Sequence, residues 1–365
     1  STDERTSSFG FGIYYWMINL GAFAAPLVVS WLKGFSWQYV FTASAAYCGL
    51  MLLPAAFIYR DPPRPESTKT LGEVLAGAAE VLGDARFMLM IVVYSGFWIL
   101  YFQNFGSVLW YLGDFIDRAP VSAAVTGLLG RLGLDVQFTF DAEHVTVINA
   151  GTIILLQVLV SRIVARRAAL PTMVAGMGIG ALGFGLLALS FSPWVFIAGI
   201  AVFSIGEMTA HPKYYSFVGL VAPPDRKAVY MGYAFLYGVF GSLLGSNLGA
   251  FLYERFLQPH AGTAGARAAA TRFWLLFAVL DIVAAAGLVL FAKRFGEDTA
   301  DSRRRARRTM ALVYGLILAL GLAFLAFAFA GEEVQYRTAV QAVIFLALGG
   351  GGLVVNARGA GRAAA

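Results

Sequence analysis

Long blocks of apolar residues, broken by short polar segments, organise the chain. Ten such blocks approach the roughly 20 residues that a helix needs to cross hydrocarbon. They fall near 9–32, 37–59, 86–112, 145–164, 170–189, 194–220, 229–253, 273–291, 309–330 and 339–355. Each predicts a spanning helix, and together they predict an all-α, polytopic membrane protein. The polar segments are as informative. Residues 60–70 hold three prolines and mixed charge and read as a linker. Residues 71–82 then read as an amphipathic helix on the membrane surface or beneath the bundle. The long loop 113–144 carries Asp114, Asp117, Asp135, Asp141 and Glu143, and 123–134 within it reads as a short surface helix. A second linker, 296–308, contains the basic run Arg303 to Arg308, an anchor beside anionic lipid.

Composition agrees with this pattern. The 365 residues are 59% apolar and only 13% charged, against about 25% charged in soluble domains. The net charge of +6 follows the membrane and does not indicate nucleic acid. Placing Ser1 on one side puts Arg60, Arg64, Lys69, Arg86, Arg162, Arg166, Arg167, Lys213, Arg226, Lys227 and the 303–308 run on that same side. By the positive-inside rule both ends are expected in the cytoplasm, in a plasma (inner) membrane, with 113–144 outside. No signal-peptide pattern precedes the first apolar block. That block starts almost at once, so a missing beginning is expected. Cys48 has no second cysteine with which to form a disulfide.

Strongly polar residues inside the blocks are few: Asn19, Gln103, Asn104, Asn149, Gln157, Glu207, Asn247 and Asp281. An acid at bilayer midplane costs at least ~3 kcal/mol on insertion scales, so it usually faces a cavity, a partner or an ion. Glu207 is such an acid, five residues before Pro212, where a break in the helix is expected. An acid paired within the bundle for structure alone is the plainer reading. Asp281 is open to both readings, a proton path or a pairing inside the bundle. Aromatic residues cluster near these positions, Tyr15, Trp98, Tyr233 and Tyr237 among them. The glycines of 176–185 and of 241–249 suit tight helix packing or a sliding surface. His144, His211 and His260 lie on different segments, no metal constellation or P-loop is present, and no cofactor or enzymatic activity is expected.

Two stretches resemble the proton-dependent oligopeptide transporter family of the major facilitator superfamily. Residues 11–23, with Tyr14, Tyr15, Asn19 and Gly21, resemble that family's fifth-helix signature. Gly206-Glu207, Pro212 and Ala222-Pro223 resemble its tenth helix, at matching spacing. Phe97-Trp98 through Gln103 and Gly106-Ser107, and Asn149, are weaker matches to the seventh and eighth helices. The resemblance covers roughly 9–295. It implies a major facilitator-like bundle in which 1–59 are the last two helices of the first half, 60–85 a cytoplasmic linker and 86–295 the second six-helix half. Residues 296–365 are then a basic linker and an added hairpin. Helices one to four of the fold are expected to precede this chain. Three positions depart from the family: Tyr101 and Phe102 stand where a carboxylate is frequent, His211 where Ser is, and Ala234 where Trp is.

The resemblance implies proton-coupled uptake of di- and tripeptides by alternating access. Glu207 then binds a substrate ammonium, and Asn19 and Asn149 bind the peptide backbone. Trp98, Tyr15 and Tyr233 wall the side-chain pockets, with Gln103 nearby. Glu207 and Asp281 are the proton-coupling candidates. The expected partners are a small-molecule substrate, protons and the bilayer, with no nucleic acid. The alternatives are a carrier of another solute, such as nitrate, a drug or a siderophore-like compound, and a non-transporting membrane scaffold or sensor.

Overall fold

The computed structural model describes residues 7–60, 70–330 and 335–362, without the side chains of 7–16, 71, 74, 75, 78, 225 and 359–362. The described residues form helices and no strands. Helix α1 (Ser7–Lys33) makes the first crossing, and α2 (Trp37–Leu50) with α3 (Leu52–Phe57) the second. Ser36 starts α2 by accepting the Gln38 N–H, one of the donors left over at a helix start. Residues 61–69 of the expected proline-rich linker lie outside the described residues. The amphipathic helix after them is α4 (Leu71–Gly83). Its start is written in the sequence as a capping box. The Thr70 hydroxyl accepts the Glu73 N–H at 3.3 Å, and the Glu73 carboxylate accepts the Thr70 N–H at 2.7 Å.

The third crossing is interrupted. Helix α5 (Ala85–Tyr101) passes into a tight 3-10 turn at Phe102–Phe105 and resumes as α6 (Ser107–Phe115). The loop helix α7 (Ala119–Arg131) begins about a turn earlier than expected, because Pro120 suits the first turn of a helix. Then come α8 (Glu143–Val164), α9 (Ala169–Leu189) and α10 (Pro193–Val221). The next crossing is α11 (Lys227–Ala234) with α12 (Leu236–Leu252), ending in a π turn at Tyr253–Leu257. Helix α13 (Ala266–Phe295) and the hairpin α14 (Ala300–Ala328) and α15 (Tyr336–Arg362) complete the order.

Among the described residues nine helical stretches are long and apolar enough to cross a membrane, and α1 adds the apolar stretch Met17–Lys33. Their outward faces are apolar: Leu155, Leu220, Leu312 and Leu316 are 71–80% exposed. Such surfaces suit lipid rather than water. Helix α9 packs between α10 and α13, α5 packs against α12 and α13, and α8 links α10 to α1. The hairpin lies against α5 and α4.

Two expectations are corrected. Pro212 lies inside α10, which continues for 29 residues without a break. A single proline removes one ladder bond, and neighbouring groups in a membrane bundle can satisfy the freed carbonyl. The irregular backbone lies instead around Gln103 and Gly106 in the third crossing. The basic run Arg303–Arg308 is helical rather than a linker, since α14 starts at Ala300 with Thr299 accepting the Ser302 N–H.

The glycines show where backbones touch. A Cβ on Gly206 of α10 would stand 2.5 Å from the Gly176 carbonyl of α9. A Cβ on Gly245 of α12 would stand 2.5 Å from the Ile99 carbonyl of α5. Only glycine permits approach this close. Gly178 and Gly185 meet nothing within 4 Å, so the α9 glycines divide into a packed row and an open one.

Candidate functional site

Glu207 lies midway along α10, and it is buried. Its Oε2 accepts a hydrogen bond of 2.9 Å from Asn149 Nδ2 of α8. The same amide nitrogen donates to Ser204 Oγ at 2.8 Å. Ser204, one turn before Glu207, donates its hydroxyl hydrogen bond to the Ile200 carbonyl. The three polar side chains thus form one small network between two spanning helices.

His211 stands one turn beyond Glu207, and residues four apart share a helix face. That face meets a cluster of rings from α5, α10 and α12. The Tyr94 hydroxyl lies 3.2 Å from His211 Nδ1. Tyr94 stacks on Tyr214 with centroids 4.2 Å apart. Trp98 lies 4.4 Å from both Tyr101 and Tyr237, and 5.0 Å from His211. The Tyr215 and Tyr237 hydroxyls meet at 3.1 Å. Among the described residues the cluster contains no lysine or arginine. Chemically it combines one acid, one amide, hydroxyls and aromatic faces that attract cations.

Of the expected site residues, Glu207, Asn149 and Trp98 come to this region. Gln103 is taken up in a helix contact. Its Nε2 donates to the Ile99 and Gly245 carbonyls, each at 2.9 Å, and its Oε1 accepts from Ser107 at 2.8 Å. Tyr233 lines a shallow apolar groove with Val229, Leu236 and Val239. Tyr237, one turn later, supplies the ring in the cluster. Asn19 is buried on α1. Phe23 packs on Gly151 of α8, and Lys33 meets Glu143 at the start of α8, so the two helices run antiparallel. That register sets Asn19 about 9 Å from Asn149 along the axis, at 1.5 Å per residue. The Tyr15 side chain lies outside the described residues.

Asp281 of α13 is fully buried, and among the described residues neither carboxyl oxygen has a hydrogen-bond partner. A Cβ on Gly180 would lie 2.7 Å from its Oδ2, with Phe97 and Phe203 next to it. Gly180 also abuts Gly206, the residue before Glu207 on α10. The sequence reading placed His211 and Tyr94 in no role. The one signal available for them was their spacing on the faces that carry Glu207 and Trp98.

This bundle of spanning helices, with a buried acid between two of them, has the architecture of a membrane carrier. The chain belongs to the Major Facilitator Superfamily, whose model matches residues 1–246. It is similar to the multidrug resistance protein MdtH of Aeromonas salmonicida (strain A449), 25% identical over 299 residues, covering 78% of this chain and 64% of the relative. MdtH of Aeromonas hydrophila subsp. hydrophila is 26% identical over 296 residues, with the same coverage. The chain therefore spans less than two thirds of the length of these curated relatives. The expectation of a major facilitator bundle is met at the level of the superfamily. Both relatives carry drug-resistance names rather than peptide-transporter names.

Proposed function

We propose that the protein is a secondary active transporter that moves a small organic molecule by alternating access, coupled to protons, with Glu207 at its centre. The observation that supports this is the Asn149–Glu207 contact beside an aromatic cluster inside the bundle. A buried carboxylate can exchange a proton for a substrate cation, and rings provide a sequence-tolerant, apolar wall for the rest of the molecule. In this reading Trp98, Tyr94, Tyr101, Tyr215 and Tyr237 form the wall, Asn149 orients Glu207, and Gln103 serves the α5–α12 contact. Both chain ends lie in the cytoplasm, and the face bearing Asp141 is the outer one.

The cluster suits a lipophilic amine. A dipeptide brings a carboxylate as well as an ammonium, and no lysine or arginine among the described residues of the cluster answers it. An unpaired buried carboxylate costs several kcal/mol even after relaxation. The names of the relatives point the same way. Peptide uptake is the second reading, favoured by the matches at 11–23 and at Gly206-Glu207, Pro212 and Ala222-Pro223.

Proteoliposomes holding the full-length protein test both. With an imposed proton gradient, transport of ethidium is expected and labelled dialanine is not. Glu207→Gln is expected to lower the rate about 10- to 100-fold, the worth of a hydrogen bond or ion pair to a charged group. Asn149→Ala is expected to lower it in the same direction and less. Dialanine accumulation without ethidium transport sinks the amine reading and keeps the carrier. Transport of neither substrate, or of either without a gradient, sinks proton-coupled carriage.

A further inference from the structure

A cavity of about 950 Å³ lies far from Glu207, where the ends of α4, α10, α13 and α15 meet the starts of α5 and α14. Its apolar lining comes from Phe87, Phe217, Val221 and Phe291, at the ends of spanning helices. Its polar lining is four arginines, Arg86, Arg303, Arg307 and Arg358, against the acids Glu80, Asp84 and Asp298.

The three acids are already engaged. Asp298 holds Arg86 at 3.0 Å and takes two bonds from Arg303, at 2.7 and 2.8 Å. Asp84 accepts the Tyr230 hydroxyl at 2.9 Å and the Phe87 N–H at 3.1 Å. Glu80 pairs with Arg226, a fifth arginine outside the lining. Arg358, near the end of α15, lines the cavity, and among the described residues it makes no ion pair or hydrogen bond. Arg307 of α14 faces the same space and keeps an interaction of its own, with guanidinium N–H groups to spare for a second acceptor. The lining thus sets four guanidinium groups against three carboxylates, at the ends of spanning helices. A phenyl-lined floor below guanidinium groups matches an amphiphile with an anionic head.

We propose that the headgroup of an anionic phospholipid binds in this cavity between Arg307 and Arg358, with its acyl chains along Phe217 and Phe291. Guanidinium groups donate paired hydrogen bonds to phosphate oxygens. The lipid then bridges the C-terminal hairpin to α4 and α10. The site stands apart from the transport reading, and its test does not use transport.

The purified full chain in neutral detergent is titrated with phosphatidylglycerol, with phosphatidylcholine and with inorganic phosphate. Bound lipid is counted by native mass spectrometry. Phosphatidylglycerol is expected to bind in preference to phosphatidylcholine. Arg307→Gln with Arg358→Gln is expected to weaken it about 30-fold, from two cations near a lipid surface. Arg304→Gln with Arg305→Gln, on the exposed side of α14, is expected to leave binding unchanged. Arg307→Lys with Arg358→Lys is expected to keep most of it. Should the double glutamine variant aggregate, Arg358→Gln alone is read the same way. Equal weakening by both glutamine pairs would show diffuse surface attraction and overturn the proposal. So would unchanged binding in the cavity variant, or displacement of the lipid by millimolar phosphate.

Discussion

Lys33, the last residue of α1, lies 2.9 Å from Asp141 Oδ2, just before α8. Glu143 stands 2.5 Å from the same ammonium, and Ser30 donates to Asp141 at 2.8 Å. These bonds fasten the first crossing to α8 on one face of the bundle, a hundred positions away in sequence. A carrier that alternates must loosen one face while the other closes. On the proposed carrier reading, the pair is a contact that closes this face. Lys33→Gln, in a Cys48→Ala background, is expected to speed thiol labelling of Phe23→Cys from the Asp141 face. Phe23 packs on Gly151, below the pair. Partly exposed ion pairs are worth up to about 1 kcal/mol, so the change is about two- to fivefold. An unchanged rate removes the pair as a closing contact.

The same contact has a pH window. Burial by itself raises the Asp141 carboxyl, and hydrogen bonds from His144, Lys33 and Ser30 outweigh it, holding Asp141 well below the usual carboxylate range. His144 Nδ1 lies 2.5 Å from Oδ1. A carboxyl depressed in the folded state stabilises it above its unfolded value, about 3.9, and that stability is lost as pH falls through the lower folded value. Labelling of Phe23→Cys, read with a reagent that reacts in acid, is expected to be flat from about pH 7 to 5 and to rise only below about pH 4. A rise centred well above pH 4 would remove Asp141 as the group that sets the window. Asp141→Asn is expected to abolish the acid step.

Gly206→Ala is expected to lower the thermal midpoint, because its Cβ meets the Gly176 carbonyl and the Gly180 backbone. Overpacking of this kind costs about 1–3 kcal/mol. Gly178→Ala and Gly185→Ala, which meet nothing within 4 Å, are expected to be neutral or slightly stabilising, as alanine suits a helix better than glycine. Equal losses at all three positions would mean that Gly178 and Gly185 of α9 are packed as tightly as Gly206 of α10 and do not form an open face.

Asp281 separates a proton role from a structural one. Among the described residues its oxygens have no partners, so Asp281→Leu removes an unsatisfied polar group and is expected to raise the thermal midpoint. In proteoliposomes of the full-length protein, Asp281→Asn is expected to lose proton-driven accumulation while keeping substrate counterflow. Accumulation at the normal level in Asp281→Asn would exclude it from the proton path.

Some features were settled by the chain alone. Spanning helices were legible because helix bonds are local and each apolar block is long enough to bury its own backbone in lipid. The α4 start was legible from the end of the proline-rich segment at residue 70, and the Thr70–Glu73 capping box is what fixes it in the structure. Glu207 and Asn149 stood out because polar groups are rare in such blocks. Which ring joins the aromatic cluster was decided by tertiary packing, since Tyr233 and Tyr237 differ by one helical turn and the approach of α5 to α12 brings Tyr237 against Trp98. Gln103 was claimed by Gly245, a neighbour that sequence spacing does not reveal. The interruption fell at Gln103–Gly106 and not at Pro212, because whether a helix tolerates a missing donor depends on what surrounds the freed carbonyl. The partner of Lys33 is likewise a property of the assembled bundle: charge on a helix end is local, but the carboxylate that reaches it comes from wherever another helix is packed.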